Sequence, residues 1–176
     1  ASEQGMTDLY QLSALQVNPI TDIYSLTLRS RMALAGGFIE LQDGQNDKAQ
    51  ISAQRAEKFL KEAEAKFSTF ADVGLKSENK ALVQQLQQAF ALYFSAVEKT
   101  AFELSNGSAQ SYITANLAAR DANAQAAALV QQFVEQANAT QDAGVAERAF
   151  RLAEYLGAEQ AALETAQIWA KNAPDN

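Results

Sequence analysis

Arg31 is a cation set where a core residue belongs. On a helix advancing 100° per residue, Ile20, Tyr24, Leu34, Ala35 and Phe38 form one stripe, and Arg31 falls in the middle of it. An unpaired buried guanidinium costs several kcal/mol. No Asp or Glu lies within one turn of it on the same helix. Two readings compete: the side chain snorkels to solvent, or it forms a bidentate pair with the carboxylate of a small ligand. Arg29 points almost oppositely, toward the side carrying Asp22, Ser25 and Glu40, and is an ordinary surface cation and only a second choice as anchor.

Partners for Arg31 can be sought by level. The turns at Gly44 and Gly107 lie at the same end of a helical hairpin pair, so depth can be counted from both. Arg31 is 13 residues below Gly44, or about 20 Å at 1.5 Å per residue. At that depth the second helix offers Lys58, Phe59 and Lys61, the third Tyr93 and Phe94, and the fourth Asn116, Leu117 and Arg120, with Tyr112 and Thr114 a turn above. Acids are sparse in this layer, and Asp121 is the nearest on the fourth helix. A carboxylate ligand held by Arg31 would find hydrogen bonds from Thr114 and Asn116 and walls in Tyr93, Tyr112 and Phe59. Arg120 is another second choice. The plainer account makes Tyr93, Phe94 and Phe59 core aromatics packed together, and Lys58 and Lys61 part of a solvated face.

The elements that place these residues are all helical. Apolar residues at three-and-four spacing define helices over about 4–43, 47–71, 77–105 and 109–171. Pro19 predicts a kink or a short non-helical lead-in near Asn18, and Ser77 is the expected cap of the third helix. Gly144 and Gly157 are weak points of the fourth, and Gly36-Gly37 marks either a close helix approach or tolerated drift. The result is an all-α, antiparallel, up-down-up-down four-helix bundle with long first and fourth helices, one domain over 1–176. Both chain ends fall at the same end of the rod, as a domain inserted between two membrane spans requires.

Composition removes the other chemistries. The chain of 176 residues has no His and no Cys, so the commonest general base, the usual transition-metal ligands and thiolate chemistry are all absent. Neither di-iron nor haem ligation has the side chains it needs, and the carboxylates scatter over polar faces rather than pairing. No catalytic residues, metal site or cofactor are therefore expected, and the chain does not read as an enzyme. A net charge of −7 opposes binding to nucleic acid. No stretch is apolar enough to span a membrane and none resembles a signal peptide. The piece reads as soluble, and as compatible with excision from a longer membrane protein.

Leu28, Arg31, Leu34 and the apolar run into LQDGQND, followed by a helix ending in KFSTF, resemble the periplasmic ligand-binding domain of bacterial chemoreceptors, the methyl-accepting chemotaxis proteins. The style is nearest to the aspartate-receptor type. SAQSYITAN resembles the start of that domain's fourth helix, and AERAFRLAEY its end. The resemblance implies a homodimeric sensory domain of an inner-membrane transmembrane receptor, with ligand near the membrane-distal end and signalling by displacement of the fourth helix. It implies that Arg31 holds a ligand carboxylate and that Thr114 and Asn116 are contact positions. Two further arginines of the aspartate receptor are replaced by Gly36 and Glu40. That loss favours a ligand with one carboxylate and more carbon, cyclic or aromatic acids included. The family's second span would begin near Leu156, yet GAEQAALETAQIWAKNAPDN is far too polar for hydrocarbon. A histidine-kinase sensor region and a purely structural or interaction bundle are the rival readings.

Overall fold

The computed structural model describes residues 3–138, 150–151, 153–161 and 163–164. Four helices account for the first of these stretches: α1 (Glu3–Gln42), α2 (Asn46–Gly74), α3 (Lys80–Ser105) and α4 (Ala109–Asn138). They form the expected all-α four-helix bundle, with α1 lying along α2 and α4, and α3 along α2 and α4.

The two turns at one end are built alike. Gly44 and Gly107 both adopt positive φ, +76° and +72°, which only glycine enters without strain. In the first, Gln45 N–H donates to the Glu40 carbonyl and Gly44 N–H to that of Leu41; in the second, Ser108 pairs with Glu103 and Gly107 with Leu104. Both are Schellman stops, which close the orphan carbonyls of α1 and α3.

Two local expectations are corrected. Helix α1 runs unbroken through Pro19, with the Thr21 hydroxyl donating back to the Val17 carbonyl across it; a long helix pinned by its packing outweighs one missing donor. Ser77 does not cap α3. Asn79 occupies that position, while the Ser77 hydroxyl donates to the Gly74 carbonyl and accepts from Asn79 N–H within the turn. The fourth helix, expected to reach 171, is described over Ala109–Asn138; residues 139–149 lie outside the described residues, and helix is described again at 150–151, 153–161 and 163–164.

The core is aromatic in its lower half, where Phe67, Phe70, Phe90, Phe94 and Phe133 interlock with ring centroids 5.0–6.0 Å apart. Gly37 is a true close approach: a Cβ there would meet Leu104 Cδ2 at 2.6 Å and Ser52 Cβ at 2.8 Å. Gly36 faces open space. The Ser30 hydroxyl donates to the Ala56 carbonyl and locks α1 to α2.

Candidate functional site

Helix α1 carries the site on a single stripe. Tyr24, Arg31 and Phe38 are seven residues apart, so they differ by only 20° in direction and stack along the bundle interior. Arg31 is 2% exposed, which excludes snorkelling. Its Nε and both terminal nitrogens have no hydrogen-bond partner. The guanidinium carbon lies 6.0 Å from the centre of the Tyr93 ring, at the outer edge of cation–π range.

Three buried tyrosines, on three helices, lie within the electrostatic reach of this charge. Burial pushes the phenols of Tyr24 (α1), Tyr93 (α3) and Tyr112 (α4) above their ordinary range, and in each case the Arg31 charge pulls the other way. They are neutral hydroxyls at physiological pH and cannot balance the guanidinium. The Tyr93 hydroxyl is buried and unpartnered; it sits close enough to feel the Arg31 charge without forming a hydrogen bond of good geometry. The Tyr112 ring stacks on Phe38 at 4.5 Å and closes the layer above. Below, the Tyr24 hydroxyl donates to Asn123 Oδ1 at 2.7 Å.

The residues singled out from sequence divide into two groups. Arg31 and Tyr93 are brought together, Tyr112 is buried within the electrostatic reach of Arg31, and half-buried Asn116 lies one turn along from Tyr112 on nearly the same face of α4. Thr114 is exposed, and its hydroxyl donates to Gln110 of its own helix. The reason is geometric, since Thr114 is 200° round the helix from Tyr112. Arg29 and Phe59 line a separate outer cleft between α1 and α2, where Arg55 rather than Arg31 covers the Phe59 ring at 5.7 Å. Arg120 is exposed on a groove beside Asn123. Tyr24 and Asn123 were not singled out. The seven-residue offset of Tyr24 from Arg31 was the available signal; Asn123 gave none beyond being a polar residue in an Ala-rich helix.

Chemically, the layer is a desolvated donor set whose acceptors, among the described residues, are neutral phenols. Five guanidinium N–H groups and one phenol face an apolar interior, and an anionic acceptor is what such a set lacks. Among the described residues no cluster of metal-binding side chains occurs and no helix is long and apolar enough to cross a membrane.

The chain matches the family described as Tar ligand binding domain homologue over residues 1–141, and it belongs to that family. It is thus a chemoreceptor-type sensor domain; the family is not one of enzymes, and its domains are periplasmic in receptors. A 47-residue stretch, 27% of the chain, is also 60% identical to a TPR repeat-containing protein of Pseudomonas aeruginosa. The chain spans only 8% of that curated relative's length.

Proposed function

We propose that the domain binds a small organic acid whose carboxylate pairs with Arg31. The observation that carries this reading is the guanidinium buried with every nitrogen unpartnered, since a cation so placed gains most from an anion. The Tyr93 hydroxyl is the second donor to the carboxylate, Tyr24 and Tyr112 are walls, and Asn116 is a polar neighbour. The Tyr93 ring beside the guanidinium, with buried Tyr24 and Tyr112 on neighbouring levels, favours a single carboxylate attached to a ring or other apolar body. Gly36 and Glu40, where the resemblance would place further arginines, favour this over a dicarboxylic amino acid.

Because the donors come from α1 and α3 and the walls include α4, binding shifts α4 against α1 and so carries the signal. The domain works as a homodimer in an inner-membrane receptor, and exposed Met32, Ile113 and Leu117 leave apolar surface for a second copy. Calorimetric titration with a panel of monocarboxylates, dicarboxylates and amino acids tests the reading beside Arg31→Ala. A ligand bound by the variant with unchanged affinity would remove Arg31 as anchor.

A further inference from the structure

Among the buried described residues Arg31 is the one charged side chain, and no buried carboxylate accompanies it. Most of the buried hydroxyls are committed elsewhere. Thr27 and Thr100 donate to carbonyls of their own helices, Ser30 donates across to Ala56, and Tyr24 donates to Asn123. Tyr93 is the exception. Its hydroxyl is buried without a partner, its ring centre is 6.0 Å from the guanidinium carbon, and Arg31 acts on the phenol at hydrogen-bonding range without a bond of good geometry. Two orphan donor groups, from α1 and α3, therefore meet in one dry layer.

The surroundings decide what size of acceptor enters most easily. One turn to either side of Arg31, α1 buries Leu28 and Leu34, and between Tyr112 and Asn123 the buried residues of α4 are Ala115 and Ala119. The stack of Phe38 on Tyr112 closes the layer above, and the bond from Tyr24 to Asn123 closes it below. An organic acid brings a body that must part this packing, which close-packed interiors resist. A monatomic anion brings none. It accepts from any direction, needs no donor or acceptor beyond the guanidinium and the phenol, and carries the single charge that offsets a lone buried cation.

We propose that Arg31 and Tyr93 form a site for a small monovalent inorganic anion, chloride above all, which serves as counterion to the guanidinium until an organic acid displaces it. This rests on the reading of Arg31 as an anion anchor and adds a competitor to it. Acid affinity then falls as chloride rises, beyond what screening alone produces. Competition at one site multiplies the apparent Kd of the acid by one plus the ratio of chloride concentration to its own Kd, so chloride at about 200 mM with a Kd of about 20–50 mM weakens the acid about five- to tenfold.

Thermal denaturation of the full chain in sodium chloride and in sodium methanesulfonate at equal ionic strength tests the site. Screening is the same in both, and methanesulfonate, with its bulkier body, is the medium in which wild type and Arg31→Met are compared without any ligand. Chloride should raise the melting temperature of the wild type above its value in methanesulfonate. Arg31→Met should abolish that difference, and Tyr93→Phe, which keeps the ring and removes the donor, should at least halve it. A chloride effect as large in either variant as in the wild type overturns the site. Calorimetry with benzoate then separates the two readings, since benzoate should bind about five- to tenfold more weakly in chloride at about 200 mM than in methanesulfonate. Benzoate bound through Arg31 with equal affinity in both salts overturns the chloride site and leaves the carboxylate anchor standing. A chloride effect that depends on Arg31, with no acid of the panel binding, supports the chloride site and removes the organic acid.

Discussion

Replacing Arg31 by Met should make the ligand-free protein more stable. The guanidinium is 2% exposed, its nitrogens are unpartnered, and the Tyr93 ring lies against it at 6.0 Å. That contact offsets roughly 1 kcal/mol, whereas substituting buried charges by apolar residues of similar volume stabilises by about 1–4 kcal/mol. Methionine keeps the methylene packing and adapts to the space left by the head group. A net gain of about 2 kcal/mol raises Tm by roughly 4–8 °C in a chain of this size. With a bound acid the order reverses. At a hundredfold excess over Kd the wild type gains about 2.7 kcal/mol, and the variant, without its anchor, gains nothing. Thermal denaturation followed by circular dichroism, with and without acid, reads both effects. A variant that melts several degrees below wild type in the absence of acid would refute the reasoning, because it would mean that the guanidinium is already compensated and serves the fold. The stability given up by keeping a lone charge in the core is the kind of trade that functional sites make.

Gly37→Ala should destabilise by about 1–3 kcal/mol through overpacking against Leu104 and Ser52, while Gly36→Ala, with nothing near its Cβ, should stabilise by about 0.5–1 kcal/mol. Urea denaturation compares the two, and equal effects would discount the close approach. Alkaline pH offers another check. The Tyr24, Tyr93 and Tyr112 phenols are raised by burial above their unfolded value of about 10. Their contribution is therefore complete below pH ~10 and is lost as pH climbs toward the folded values, by about 1.4 kcal/mol per unit for each tyrosine. Denaturation series at rising pH should show that steep fall, and spectrophotometric titration in which these phenols ionise near pH 10 in the folded protein would contradict it. Thr114→Ala should leave acid affinity within twofold by calorimetry, since the side chain is exposed and turned to Gln110.

Much of the bundle is legible in the sequence because its determinants are local. Three-and-four spacing gives the helices, and two glycines in Asp-Gly and Asn-Gly turns give the ends from which depth can be counted. Depth plus periodicity suffices to bring Arg31 and Tyr93 together from helices 62 residues apart in the chain. What local pattern does not supply is which polar groups find each other once the helices close. Tyr24 and Asn123 are joined across 99 residues, and the C-terminal segment meets α1 across 130.

Thr114 and Asn116 show where resemblance and geometry part. Likeness to the family's fourth helix nominates both, yet two residues on a helix point 200° apart, so a ligand facing Tyr112 can see Asn116 but not Thr114. The same rule separates Arg29 from Arg31 at the outset: one lines an outer cleft and the other is sealed in the core. A family pattern names positions, and helical phase decides which of them face inward. At Arg31 the two agree, and burial without a partner adds what neither contains, an energetic reason for an anion to bind there.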